Sequence, residues 1–235
     1  KSFDTVGPIT KTVEDAALLF SVISGNKPVD LQYRSIVGGR LALLKGTALD
    51  GLHQKTAIAF EQSVNALSKF GFEIKEIDIN EVESALALSS VLYPSEAYAE
   101  WKEEIEASPE LMYDEILQRF RAGKDVLAAD YLKAKGDLET FKKKYYDKIS
   151  PFDGVILPTC PILPPNLERL KSDKGYYVEQ NLMALRNTRI GNLMGVCALT
   201  IPTNHSSCGL SIMSLPNREE KLLRIGRAAE NAISM

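Results

Sequence analysis

A chain of 235 residues has room for one large domain or two small ones, and at that size it can bury most of its apolar surface. Hydrophobic residues make up 45% and charged residues 25%, a balance that argues against disordered and fibrous classes. The 28 basic and 31 acidic residues leave a formal charge of −3, so there is no broad cationic field of the kind that nucleic-acid backbones or anionic membranes attract.

Cys160, Cys197 and Cys208 have no paired spacing and cannot all sit in intrachain disulfides. Free thiols in a reducing compartment, the cytoplasm, are therefore expected. No run approaches the roughly 20 apolar residues of a membrane helix. Lys1-Ser2-Phe3-Asp4 has neither a starting methionine nor a charged-then-apolar signal pattern, and the expectation is that a preceding segment is missing.

In chain order, Thr12 is placed to cap a helix with Glu14 and Asp15 in its first turn. Ala16, Leu19, Phe20 and Ile23 would share one face, and Gly25 would end it. Arg40 to Gly46 is a short apolar run suited to a strand buried on both faces. A helix from about Leu52 to Phe70 follows, ending at Gly71, and then Phe72 to Ile79 alternates as a strand does. Strand, helix, strand at this spacing predicts parallel pairing. From Glu81 to Ile149 the pattern is helical, with breaks expected at Pro94, near Ser108-Pro109 and around Gly123.

Asp153 to Pro158 returns to a buried strand, which runs into the extended, proline-rich stretch Thr159 to Pro165. A helix is predicted over Tyr177 to Leu193, and strands over Cys197 to Ile201 and Leu210 to Ser214. A terminal amphipathic helix follows Asn217, with Glu219 and Glu220 in its first turn. The fold class is α/β.

Four ordered segments resemble the second half of the amidase signature family. They are Ser2-Phe3-Asp4-Thr5-Val6-Gly7-Pro8-Ile9-Thr10 with Val13 to Ala17, Asp153 to Pro158, Asn192 to Pro202, and Gly209 to Met213. The Arg119-Phe120-Arg121-Ala122-Gly123 patch and the Leu222-Leu223 helix extend the likeness over nearly the whole chain. The resemblance implies part of one amidase domain: a mixed β-sheet flanked by helices, with a helical insertion over about 81–149. It implies hydrolysis or transfer of a carboxamide by a Lys, a cis-Ser and a nucleophilic Ser. A serine hydroxyl is inert near neutral pH without a base and an oxyanion hole, and in the family all three residues precede the Asp4-Thr5-Val6-Gly7-Pro8 motif. No catalytic residue is therefore expected in this chain, and no cofactor. Departures from the family are Cys197 and Ser211, which stand where relatives commonly have proline.

Relatives that bind an amino-acid substrate hold its carboxylate with an arginine, and Arg119 is the best match for that substrate-binding role, with a structural arginine as the alternative. The acidic partner such relatives place before Asn192 is replaced near that position by Leu185. The resemblance implies as partners a small amide substrate and the missing N-terminal half or a complementary chain, with a homo-oligomer as a further arrangement. No membrane and no direct nucleic-acid partner are expected.

Other chemistries find weaker support in the residues. Ser89-Ser90 lies in a helical run without flanking glycines, and Ser206-Ser207 reads as a polar turn. His205 stands three residues from Cys208, yet no orienting carboxylate is near, which favours a structural thiol. His53 and His205 alone cannot make a zinc site without distant ligands. Lys142-Lys143-Lys144 is interleaved with acids and reads as a solvated face. Tyr93, Tyr98, Trp101 and Tyr113 read as core aromatics or as pocket lining. Gly38-Gly39 precedes a strand, where a phosphate loop would follow one. The leading expectation is an inactive C-terminal portion of an amidase. The rivals are a fragment encoded as such, either a degraded gene product or a split enzyme with a separate N-terminal chain, the A-type subunit of a glutamine-dependent tRNA amidotransferase, and a non-catalytic binding module on the same fold.

Overall fold

The computed structural model describes residues 1–32 and 38–234. Its first helix, α1 (Val13–Ser24), is capped as the sequence dictates. Thr12 takes extended backbone and its hydroxyl accepts from the Asp15 N–H, while Gly25 ends the helix at φ 70°, a left-handed conformation that glycine adopts without a Cβ penalty. A second acceptor for the helix N-terminus comes from far along the chain, where Glu230 Oε1 takes the Val13 N–H at 3.0 Å.

The buried face of α1 differs from the expected one. Val13, Ala16, Ala17 and Ser21 are buried, whereas Leu18, Leu19, Val22 and Ile23 are 42–71% exposed. The small residues let α1 lie close on the terminal helix, Ala16 and Ala17 packing with Leu223, and this leaves the bulky side chains pointing away from the core.

Five strands form one mixed sheet in the order β2-β1-β3-β5-β4. Strands β1 (Arg40–Leu44), β2 (Glu73–Ile77) and β3 (Gly154–Pro158) run parallel. Antiparallel to its neighbours β3 and β4 (Cys197–Pro202) is β5 (Gly209–Ser214). The two-sided burial expected for β1 and β3 is present: Leu41 to Leu44 and all of β3 are buried. Along β1 the side chains alternate between layers, as the two-residue strand period requires. Leu41 and Leu43 pack with Phe60, Ile225 and Ala229 of helices α2 (Gln54–Phe70) and α8 (Glu219–Ser234). Ala42 and Leu44 pack with Leu92, Leu138 and Ile190 of helices α3 (Asn80–Ala107), α5 (Ala128–Ile149) and α7 (Lys174–Met194).

One buried amide ties α7 to the ends of two chain segments that leave the sheet. Asn187 of α7, 1% exposed, donates from Nδ2 to Ala48 O at 2.9 Å and to Pro158 O at 2.7 Å. It thereby satisfies the carbonyl at the end of β3 and one in the turn after β1.

Three boundaries depart from the sequence reading. Pro94 does not break the helical run, because α3 continues from Asn80 to Ala107 with the proline inside it. A proline removes one helix donor, and here packing against α5 and α7 holds the helix across the gap. A short helix, α6 (Leu167–Ser172), has no counterpart in that reading. Asn166 caps it by accepting from the Arg169 N–H at 3.0 Å, and six residues are too few for a readable period. Helix α7 begins at Lys174, ahead of Tyr177, because Asp173 accepts the Tyr176 N–H at 2.9 Å. The breaks at Ser108-Pro109 and around Gly123 stand, separating α4 (Asp114–Arg121) from its neighbours. Among the described residues no helix is long and apolar enough to cross a membrane.

Candidate active-site cavity

An open cavity of about 1260 Å³ lies between the N-terminal segment, α3, α4, α7 and the outer strand β4. Three helices contribute stripes at helical spacing. These are Ser89, Tyr93 and Ala97 from α3, then Ile116, Arg119 and Phe120 from α4, and finally Leu182, Leu185, Arg189 and Asn192 from α7. From the sheet come Ala198 and Thr200, both exposed on a strand that among the described residues pairs only with β5.

The segment Ser2 to Pro8 runs along the mouth, tied down at its start through Ser2 and Phe3. Asn192 Nδ2 donates to Phe3 O at 2.7 Å, and Asn192 Oδ1 accepts from the Tyr93 hydroxyl at 2.8 Å. The Phe3 and Tyr93 rings meet edge to face at 4.8 Å. Burial pushes the Tyr93 hydroxyl up to about 12, against the opposing pull of Arg189, so it remains a donor at neutral pH.

Glu96 anchors the same segment, accepting from Ser2 N–H at 2.8 Å and from Tyr131 O–H at 2.9 Å. Burial alone would raise its carboxyl, but these hydrogen bonds outweigh it and hold the group down at about 2. A carboxylate depressed on folding stabilises above its unfolded pKa of roughly 4.3 and loses that contribution as pH falls toward the folded value. Glu96→Gln is therefore expected to lower Tm at pH 7, with the gap to the parent closing between pH 4 and pH 2 in thermal melts. A gap that stays constant across that window would show that Glu96 ionisation carries no stability.

The route by which Arg119 reaches the cavity is legible in its neighbours. Arg121 pairs with Glu106 through two parallel hydrogen bonds of 3.0 and 2.7 Å, the fork geometry in which a guanidinium grips a carboxylate best. This closes α4 back on α3. Gly123 then sits against the Pro94 carbonyl so closely that a Cβ would lie 2.0 Å from its oxygen. Just ahead of these two fixed points, Arg119 and Phe120 face the cavity. Arg119 Nη1 donates to Asn181 Oδ1 at 2.7 Å, and its Nη2 is buried without a hydrogen-bond partner among the described residues.

The hydroxyls and thiols around the cavity are bound in ways that do not activate them. Ser89 donates to Leu86 O at 2.6 Å and Ser90 to Ala87 O at 3.2 Å, both within their own helix. Thr159, just past β3, forms a cluster with Thr200 of β4 and Ser211 of β5 at oxygen separations of 2.8–3.4 Å, and no base among the described residues is hydrogen-bonded to it. Burial foremost, aided by Glu219, pushes the Cys197 thiol up to about 11. Its sulfur contacts Leu215 O at 3.4 Å, which describes a structural thiol.

Outside the cavity, Ser206 accepts from Lys55 Nζ at 3.0 Å on an exposed surface. His205 contacts Gln62 at 2.8 Å, while Cys208 faces Thr56 at 4.0 Å, so the two do not form a dyad. His53 caps α2 through Nδ1, far in role from His205, and among the described residues no set of three metal-binding side chains gathers. Lys142 pairs with Glu139, and Lys144 and Lys148 with Glu81, as a solvated charged face does. Of the four aromatics, Tyr93 alone lines the cavity. Trp101 and Tyr113 are 51% and 53% exposed, so neither belongs to the core.

Sequence reasoning missed Arg189 and the coupling of Phe3, Tyr93 and Asn192. The spacing of Leu182, Leu185, Arg189 and Asn192 along one helical face carried the signal for the first. The second joins segments that are remote in the chain.

A mixed sheet covered by helices on both faces, with an apolar cavity opening beside its edge strand β4, defines a three-layer α/β protein. The profile of the Amidase family matches residues 1–223, and the chain belongs to that family. It is 29% identical to the 2-amino-5-chloromuconic acid deaminase of Comamonas testosteroni, over 99% of this chain and 52% of that protein. It is 27% identical to the A-type subunit of the glutamyl-tRNA(Gln) amidotransferase of Sulfurisphaera tokodaii, over 100% of this chain and 56% of that protein. A crystal structure of an amidase superposes with a TM-score of 0.79 at 20% identity, covering 97% of this chain and 52% of that one. The chain thus spans about half the length of the relatives it matches.

Proposed function

We propose that this chain is the C-terminal half of an amidase that hydrolyses carboxamide C–N bonds by a Ser–cis-Ser–Lys mechanism whose residues lie outside residues 1–235, and that its own part is one wall of the acyl pocket. The observation that carries this reading is the cavity itself. It is lined by family segments at Ser2 to Pro8, Asn192 to Thr200 and Ser211 to Met213 and by Arg119, and it reaches β4, whose outer edge pairs with no other described strand, and α1 at Ala16 and Phe20. Both of the latter are what a second half of a domain would pack against. Arg119 is assigned to hold a carboxylate of the substrate, since its buried Nη2 still requires an acceptor and a guanidinium meets a carboxylate in a bidentate fork.

The amidotransferase reading draws on the name of the Sulfurisphaera relative. Leu185, an apolar residue of the cavity wall, stands near the position where the resemblance places an acidic partner, which favours the simpler amidase. The test is covalent: an intact protein carrying this segment, treated with a fluorophosphonate, should be labelled on one serine outside residues 1–235 and should release ammonia from simple carboxamides without a partner protein. A label on any serine within the segment overturns the assignment, and hydrolysis that depends on a second protein moves it to the amidotransferase.

A further inference from the structure

The chain enters the cavity mouth through a relay of side chains that runs one way. Asn192 has a donor end and an acceptor end, and both are used: Oδ1 accepts from the Tyr93 hydroxyl at 2.8 Å while Nδ2 donates to Phe3 O at 2.7 Å. With the amide reversed, two carbonyl oxygens would meet at Phe3 and the Tyr93 proton would lose its acceptor. Tyr93 thereby decides which end of Asn192 faces Phe3. Its ring also packs edge to face on the Phe3 ring, with centroids 4.8 Å apart, so α3 and α7 hold one residue from two directions.

One turn further along α3, Glu96 accepts the Ser2 N–H at 2.8 Å and the Tyr131 O–H of α5 at 2.9 Å. Consecutive residues are thus fixed at an N–H and at a C=O. From Asp4 onward, the first hydrogen bond to a distant element among the described residues is that of the Val13 N–H to Glu230. Thr5, Val6, Gly7 and Pro8 line the cavity between those ties, and their placement is set from the two ends. The hold on Phe3 therefore governs both this stretch and whatever chain leads into Ser2.

We infer that Tyr93 and Asn192 are positioning residues, which act through Phe3 to place the reacting groups against a bound amide. Their own donor and acceptor are satisfied within the protein, so they add nothing to the binding of that amide. The inference rests on the amidase reading, which puts the reacting serine in chain that precedes this segment. A misplacement of about 1 Å at a reacting centre can cost on the order of 10²-fold in rate. In the intact enzyme, Asn192→Leu should lower kcat by about 10- to 100-fold, with KM for a simple carboxamide within about twofold of the parent. Tyr93→Phe keeps the ring on Phe3 and should lower kcat by about 3- to 10-fold, the worth of one hydrogen bond. The double variant should be no slower than Asn192→Leu alone, because Tyr93 acts through Asn192.

Fluorophosphonate labelling separates misplacement from misfolding. The reactive serine of each variant should be labelled more slowly than in the parent but to the same final extent. Where circular dichroism shows that Asn192→Leu is not folded, Asn192→Ala takes its place beside Tyr93→Phe. An unchanged kcat in folded variants, a loss that falls on KM, or losses that multiply in the double variant overturn the inference. So does labelling that is incomplete at an unchanged rate, which marks a fold defect alone. The parent enzyme tells the two readings apart. No amide hydrolysis by the parent sinks the amidase reading and this inference with it, whereas hydrolysis that is indifferent to both substitutions sinks the inference alone.

Discussion

Gly123→Ala is expected to destabilise the fold by about 2–4 kcal/mol, the upper range for overpacking a fixed backbone contact. The added Cβ would fall 2.0 Å from Pro94 O, 2.4 Å from its carbonyl carbon and 2.8 Å from Ser95 N. All three are backbone atoms of α3, so no side chain can swing aside. Helix α3 cannot retreat without losing its packing on α5, and the turn after α4 cannot retreat without pulling Arg119 and Phe120 from the cavity wall. Urea denaturation should show a lower midpoint with an unchanged slope, and affinity for an anionic amide should fall with it. Gly136 on α5 provides the contrast, because nothing lies within 4 Å of its Cβ position. Gly136→Ala should be neutral or stabilising by up to about 1 kcal/mol, the helix-propensity gain. If the two variants have the same midpoint, the close approach at Pro94 is not a constraint on this fold.

Self-association is the second large effect expected. Leu18, Val22 and Ile23 of α1 are 56%, 71% and 57% exposed, and Val6 and Ile9 are 86% and 100% exposed on the segment leading to it. Val6, Ala16 and Phe20 of the same stretch line the cavity, as does β4, which pairs only with β5 among the described residues. Contiguous apolar surface beyond a few hundred Å² is rare on a monomer, and an open strand edge templates pairing with another chain. The 235-residue chain by itself should therefore elute as oligomers or aggregate at micromolar concentration. Leu18→Lys combined with Val22→Lys, one turn apart on the exposed face, should shift it toward monomer while changing stability by no more than about 0.5 kcal/mol per site. A parent chain that is monodisperse and monomeric in sedimentation, unchanged by the double substitution, would mean that this surface has no need of a partner.

Much of the architecture is legible in the residues, and the reasons are local. The Thr12 hydroxyl, the acids after it and Gly25 specify α1 through caps that act within a few residues. The apolar runs Leu41 to Leu44 and Val155 to Leu157 have no polar face to expose, so they read as strands covered on both sides. Gly71 and Gly195 stop α2 and α7 because left-handed backbone favours glycine. Pro94 misleads for the complementary reason. Helix propensity is a weak prior against tertiary packing, and the contacts that carry α3 through the proline come from α5, α7 and the Gly123 turn.

Part of the cavity is also visible in the residues, since the family segments locate it and Arg119 stands out among them. Element types, the layer order implied by strand, helix, strand, and membership of the family can all be read from the order of amino acids. Those properties follow from caps, periods and short motifs, which act over one or two turns of chain. Three others emerge once the chain has folded: which face of α1 is left bare, the meeting of Arg189 and Arg119 in one cavity without an ion pair among the described residues, and the hold of Phe3, Tyr93 and Asn192 on its mouth. Each of these depends on surfaces contributed by distant segments, and charge balance and burial exist only after those surfaces have met.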